Sequence, residues 1–412
     1  MLSKNRRWSA LLWIVVCGMW LVCVPLIKPG LITKLRLSSI GPSLGIGRDE
    51  LCYGKGFRPF VNRTLRPDWD LMKTVPYKML PHFKNPCFLQ KVTVWVGDRI
   101  KSQQKLRCLP YFFIIGFPKS GTTDLWHRIL RHPDVVYGNK GKELMFFNRK
   151  RFYNNRSLDH YISYFDEAAN IIQDVVSSSA CESHLFPYHH LITGEASVDT
   201  IFDNKRWSQL PGNQGCNEPV ITTADFLRHL MPDTRLIVVM RNPVERVYSD
   251  YIYEGKILRY NLSKADFHEA VLKAIKNHED CRQYFTERGC AYNGSLETYK
   301  ARLRVGMYHI FIRDWLRVFP LEQMLFIRTD DLSGENAIKT YQKIFRFLQT
   351  RPFTRAEEEK YLRHKRRMNA RHKEGRGLGD MLDATKRILT NFYEPHNVAL
   401  AKLLNDERYL WK

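Results

Sequence analysis

An α/β domain with a mainly parallel sheet is the fold class this sequence predicts, and three observations predict it. Strand-like and helix-like segments alternate from about residue 111 onward, the pattern of strand–helix–strand units. Two short apolar runs, 112–116 and 235–240, each lead directly into a helix start. Hydrophobic residues make up 44% of the chain, with 9 Trp, 20 Tyr and 23 Phe, which suits a packed core and argues against disorder.

In chain order, residues 8–27 (WSALLWIVVCGMWLVCVPLI) contain no charge and are long enough to span a bilayer as a helix. Lys4, Arg6 and Arg7 precede this run and Lys28 follows it, which favours a cytoplasmic N-terminus. The run is longer than a usual signal-peptide core, and no clear small-x-small cleavage site follows it. The expectation is a type II signal anchor, with 1–7 as cytoplasmic tail and the remainder lumenal. Residues 28–50 read as a stem. Residues 51–110, rich in proline and aromatics with little periodicity, read as irregular structure packed on a domain at 111–412. Strands are expected at 112–116, 235–240 and 324–328. Helices are expected at 122–132, 243–254, 264–277, 306–318, 335–348 and 380–392.

A lumenal chain suits the sequons at Asn62, Asn155, Asn261 and Asn293. Outside the apolar span lie seven of the 9 cysteines, and an oxidising compartment allows up to three disulfides among them. Cys281 and Cys290 close a short loop and are the expected pair. The net charge of +23 fits a polyanionic partner or an anionic lipid surface. In the lumen nucleic acid is excluded as that partner, and sulfated or uronic-acid polysaccharide answers the same electrostatics.

The chemistry concentrates at 111–127, YFFIIGFPKSGTTDLWH. A buried strand enters a turn at Gly116-Phe117-Pro118, and Gly121-Thr122-Thr123 opens a helix. The free N–H groups and positive dipole of that helix start make an anion site. Lys119 adds a charge, and Ser120, Thr122 and Thr123 add hydroxyls. A nucleotide-triphosphatase loop needs its lysine after the second glycine, whereas Lys119 precedes Gly121. Residues 235–251, RLIVVMRNPVERVYSDY, repeat the design. A strand ends at Arg241, Asn242 is a plausible N-cap, Pro243 suits the first turn, and Ser249 lies two turns on. A plain ion pair from Arg241 to Glu245 or Asp250 is the competing reading.

The order P-K-S-G-T-T resembles the 5′-phosphosulfate loop of sulfotransferases that use 3′-phosphoadenosine 5′-phosphosulfate (PAPS). Arginine followed eight residues later by serine resembles their 3′-phosphate motif. The resemblance covers about 105–412 and implies a P-loop-like sulfotransferase fold. It implies that Lys119, Ser120, Gly121, Thr122 and Thr123 hold the 5′-phosphosulfate and that Arg241 and Ser249 hold the 3′-phosphate. In membrane-bound glycosaminoglycan sulfotransferases a catalytic glutamate precedes an aromatic pair, and Glu143 before Phe146-Phe147 is similar. Glu143 is thus the expected base and Lys119 its catalytic partner. Pairing of Glu143 with Lys140 or Lys142 is the plain alternative, and His184 is a competing base, since cytosolic relatives use histidine.

GEASVDTIFDN (194–204) resembles the segment that follows the second core strand and lines the acceptor cleft, which makes Glu195 and Ser197 substrate candidates. The basic residues flanking the base, Lys140, Lys142, Arg149, Lys150 and Arg151, are candidates to bind a sulfate already on the sugar. Residues 360–376 hold eight Lys/Arg, two His and one acidic residue. The family has a basic loop there that closes over PAPS, with Arg371, Lys373 and Arg376 as candidates. The tail 391–411 and the RKRF tetrapeptide most resemble the branch that sulfates the 6-hydroxyl of N-acetylgalactosamine 4-sulfate. A Golgi membrane enzyme is implied, with a glycosaminoglycan as acceptor. No HExxH or Cys₂His₂-type spacing calls for a metal.

Overall fold

The computed structural model describes residues 70–138, 141–152, 156–177, 187–202, 206–296, 298–362 and 377–412. The expected span at 8–27, the stem at 28–50, Asn62, Asn155, His184, Arg371, Lys373 and Arg376 lie outside the described residues. Among the described residues no helix is long and apolar enough to cross a membrane.

The first correction concerns the segment at 51–110, of which 51–69 lie outside the described residues. Strands β1 (Cys87–Val96) and β2 (Arg99–Cys108) form a regular antiparallel hairpin, with Cys87 opposite Cys108 and Val96 opposite Arg99. Gly97, at φ +61, opens the two-residue turn with Asp98. A disulfide joins Cys87 to Cys108 at the open end. Apolar alternation is weak here because only Leu106, Arg107 and Cys108 of β2 are buried. Leu106 and Cys108 pack near Ala169, Ile172 and Leu191.

Four parallel strands follow: β3 (Phe112–Gly116), β4 (Gly194–Ala196), β5 (Arg235–Met240) and β6 (Met324–Arg328), in the order β4–β3–β5–β6. The three expected strands have the bounds read from the sequence. β4 is the addition, for the segment at 194–204 contains the strand itself rather than following one. Alternation sorts the side chains of β3 and β5 between two layers. Phe113, Ile115, Leu236, Val238 and Met240 join one core cluster, whereas Phe112, Ile114, Ile237 and Val239 join the other.

Helices cover both faces. They are α1 (Thr122–Ile129), α2 (Leu158–Ser163), α3 (Asp166–Asp174), α4 (Thr223–Leu230), α5 (Pro243–Leu258), α6 (Lys264–Arg282), α7 (Glu287–Tyr292), α8 (Tyr308–Val318), α9 (Ala337–Phe347) and α10 (Asp383–Leu404). Leu125, Trp126 and Ile129 of α1 pack with Tyr341, Ile344 and Phe345 of α9 on one face. Phe226 and Leu227 of α4 pack with Phe311 and Trp315 of α8 on the other. α10 outruns the expected 392 and carries Pro395 inside it, because Leu389, Tyr393, His396 and Leu400 keep one face buried. Cys281 and Cys290 are disulfide-bonded between α6 and α7.

Candidate functional site

The chain leaves β3 for β4 on one side and then crosses to β5 on the other. Such a reversal opens a crevice beyond the carboxyl ends of the two central strands. The loop after β3 holds Lys119, and β5 is followed at once by Arg241.

Local geometry explains why this loop can hold an anion. Lys119 has φ +66 and Gly121, the N-cap of α1, has φ +86. Left-handed residues curl the backbone so that successive N–H groups converge. A side chain at Gly116 would be excluded outright, since a Cβ there would come within 2.4 Å of Ile201. The Thr329 hydroxyl lies 2.7 Å from the Ser120 carbonyl and 3.1 Å from that of Met240, which joins this loop to the end of β5. Ser120 and Thr122 are buried, Thr123 is half-buried, and Gly121 is exposed.

Lys119 is half-buried, and its Nζ lies 3.7 Å from the centre of the Tyr253 ring. Burial lowers its amine to about 8, Asp250 and Glu254 pull it back up, and Arg302 and Arg241 push it down. Asp250 is neutralised from two sides, by Arg302 at 2.5 Å and Arg246 at 3.2 Å. Although burial raises it, these two guanidinium groups hold its carboxyl below the usual range. Glu254 likewise pairs with Arg302, at 3.0 Å, so the acidic groups around Lys119 are matched by arginines.

Around Arg241 the expected start of α5 is present. The Asn242 side chain accepts from the Val244 N–H at 3.0 Å, and Pro243 takes the first helical position. Arg241 lies 3.4 Å from Glu245, so the competing ion pair does form. At 3.4 Å and partly exposed, that contact is weak enough to exchange for a phosphate. Tyr308 donates to the Arg241 carbonyl at 2.8 Å. Ser249 is half-buried on α5.

The second half of the site borders β4. Gly141-Lys142-Glu143 runs beside the strand as an extra extended segment: Ala196 N–H donates to the Gly141 carbonyl at 2.9 Å, and Glu143 N–H donates to the Ala196 carbonyl at 2.8 Å. Glu143 has φ +56 and Met145 φ +51, conformations that cost roughly 1–3 kcal/mol each and persist only where the surroundings impose them. Ser197 Oγ accepts from the Met145 N–H at 2.9 Å, and Lys150 Nζ donates to the Glu143 carbonyl at 3.2 Å. Oε1 of Glu143 pairs with Lys142 at 2.6 Å, the plain alternative read from the sequence. Its Oε2 is buried without a hydrogen-bond partner.

Glu195 and Ser197 depart from expectation. Both are 1% exposed and so lie behind the Glu143 segment instead of facing an acceptor. Glu195 accepts from Tyr161 at 2.7 Å and from the Ser197 hydroxyl. Burial raises its carboxyl to about 7, opposed by those two bonds and reinforced by Glu143 and Asp199. Arg151, expected among the basic residues beside the base, is also buried, with its guanidinium 4.2 Å from the Phe226 ring. Arg149 is occupied by Asp199 at 2.9 Å. Of the sequons, Asn261 is exposed and Asn293 half-buried.

Sequence reading missed Tyr253. It touches Lys119, and burial raises its phenol, with Glu254, Glu143 and Asp250 adding to the effect. One available signal was its spacing, four residues beyond Ser249 on the same helical face. Thr329 and Arg302 carried no such signal.

A family model for the sulfotransferase domain matches residues 109–380. Carbohydrate sulfotransferase 15 of Homo sapiens is 35% identical over 86% of this chain and 69% of its own length. Bifunctional heparan sulfate N-deacetylase/N-sulfotransferase 2 of Homo sapiens is 24% identical over 80% of this chain and 33% of its own length. Among solved structures, a sulfotransferase from Alicyclobacillus acidocaldarius aligns at 23% identity, covering 72% of this chain and 96% of that one, with a TM-score of 0.44.

Proposed function

The chain belongs to the sulfotransferase family, as an enzyme of the carbohydrate sulfotransferase 15 type, and from that premise we propose that it transfers a sulfuryl group from PAPS to a glycosaminoglycan hydroxyl. The observation that carries this reading is the pair of cationic anchors, Lys119 and Arg241, following adjacent strands at the reversal of the sheet. The donor set fits a bisphosphorylated ligand: a lysine, an arginine, hydroxyls and a helix N-terminus, with the acidic neighbour Asp250 already neutralised.

PAPS supplies the sulfuryl group and departs as the 3′,5′-bisphosphate. Lys119 and the start of α1 offset the charge that grows on the departing phosphate. Arg241 and Ser249 fix the 3′-phosphate and so the direction of transfer. Glu143 takes the proton of the attacking hydroxyl, and its partnerless Oε2 is the atom assigned to that task. Glu195, Ser197 and Tyr161 brace the segment that carries it.

The acceptor we assign is the 6-hydroxyl of N-acetylgalactosamine 4-sulfate in chondroitin or dermatan sulfate. The likeness to carbohydrate sulfotransferase 15 and to the galactosaminoglycan branch supports it, and Lys142 and Lys150 supply charge beside the base. Heparan sulfate is the rival acceptor. We place the reaction in the Golgi lumen, with 8–27 as the anchor. Digestion of a tag at Met1 by protease outside sealed vesicles, with the catalytic domain surviving, tests that orientation. Incubating the purified protein with labelled PAPS and separate chondroitin, dermatan and heparan sulfates, followed by disaccharide analysis, tests the reaction. Label on the 6-position of 4-sulfated N-acetylgalactosamine is expected. Label mainly on glucosamine would replace the acceptor, and binding without transfer would leave only a polyanion-binding protein.

A further inference from the structure

Away from the transfer site, three ligand-type side chains converge from three helices. Glu287 begins α7, His309 lies in the first turn of α8, and His396 follows Pro395 in α10. One potential ligand atom from each lies within 4.8 Å of the others. The imidazole rings are 5.3 Å apart, and His396 Nδ1 is 3.7 Å from Glu287 Oε1.

His309 is 5% exposed, and its Nδ1 has no hydrogen-bond partner. A buried ring nitrogen left in this state is uncommon and calls for an explanation. Packing alone does not supply one, because an apolar residue of similar shape would fill the space without the desolvation cost. Two imidazoles and a carboxylate are the donor set that suits zinc among the common divalent ions.

We propose that Glu287, His309 and His396 form a structural zinc site that fastens α10 to α7 and α8. A tetrahedral ion with bonds of about 2.0–2.1 Å holds its ligands roughly 3.3 Å apart, so modest side-chain rotation closes the site. Burial lowers both rings to about 4, which leaves them neutral and able to donate a lone pair. Glu287 is half exposed, with its side chain at 42%, and this leaves an entry path and room for water as a fourth ligand. His278 and Arg313 also face the cluster; burial lowers the His278 ring, which keeps it neutral near pH 7, so the guanidinium of Arg313 is the charge that tempers the affinity. Separations of 22 and 87 residues along the chain kept this set out of any sequence motif. The site departs from the expectation of no metal, and it assigns the ion no part in sulfuryl transfer.

The test uses the full chain, stripped with a chelator and titrated with Zn²⁺ alone. Calorimetry and elemental analysis are expected to give one ion per chain, and the thermal midpoint is expected to rise with zinc and fall back with chelator. Cobalt substitution should give the visible bands of a four-coordinate nitrogen–oxygen site. Glu287→Gln changes a half-exposed group while keeping its shape, and it should abolish the stoichiometric phase, as should His309→Gln. Both variants should keep the transfer rate of metal-free wild type. Absence of stoichiometric binding in wild type, or equal binding in both variants, overturns the proposal.

Discussion

Lys119 and Glu143 carry different parts of the reaction, so their variants should fail differently. Lys119→Ala removes a donor aimed at developing charge, and kcat should fall about 10²–10³-fold with the fold intact. Glu143→Gln should lower kcat by roughly 10²–10⁴-fold while calorimetry finds PAPS affinity unchanged; a collapse of affinity instead would make Glu143 structural. Because burial brings the Lys119 amine to about 8, kcat/KM for PAPS should decline as pH rises through that value, where the free enzyme loses the charge. Lys119→Arg, which stays charged, should lack this alkaline limb. Glu195 makes a prediction about stability. Its carboxyl is raised to about 7, so the folded state holds a proton that the unfolded state releases near 4.5. Stability from this group is therefore greatest at low pH and declines as pH rises through about 7, by at most roughly 3 kcal/mol. Denaturant titrations of Glu195→Gln between pH 5 and 8 should lack this decline; a parallel decline in the variant would assign it to other groups.

At the scale of elements, the short edge strand β4 matters most, because it positions Glu195, Ser197 and, through Ala196, the Glu143 segment. It lies against β3 at a place with no room for a side chain. A Cβ on Gly194 would come within 2.3–2.6 Å of the buried Phe112 ring. Gly194→Ala should therefore cost about 1–3 kcal/mol as overpacking, and it should lower kcat beyond the loss of folded protein by displacing β4. A thermal melt paired with an assay at a temperature where the variant is fully folded separates the two effects. Unchanged kcat there would show that the site tolerates movement of this strand. The helices obey simpler rules: α5 and α7 begin where Asn242 and Thr286 cap them, and such caps contribute about 1 kcal/mol each.

For the whole molecule, the excess charge of +23 predicts how acceptor and donor respond to salt. A long polyanion bound by several exposed cations loses affinity as the Debye length shrinks from about 10 Å at 0.1 M to 3 Å at 1 M. PAPS, held in a crevice by a half-buried lysine and a helix N-terminus, should be less sensitive. The acceptor KM is thus expected to climb more steeply with salt than the PAPS KM, measured in the same assays. Equal slopes would mean that the acceptor is held by short-range contacts and that the net charge serves some other purpose.

The sequence by itself determined the α/β class, the bounds of β3, β5 and β6, the loop around Lys119 and the capped start of α5. Each of these depends on local chemistry: apolar runs, a glycine at positive φ, an N-cap and a proline at the first turn. The hairpin at 87–108 was hidden because most of it faces solvent, and α10 because its buried face had to outweigh Pro395. Tertiary structure alone decided that Glu195 and Ser197 sit behind the base, that Arg151 is enclosed by aromatic rings and that the Tyr253 ring packs against Lys119. It alone brought Glu287, His309 and His396 together. A sequence records which groups are available, but burial and partnership depend on which strands and helices become neighbours, and that order is set by packing across the whole sheet.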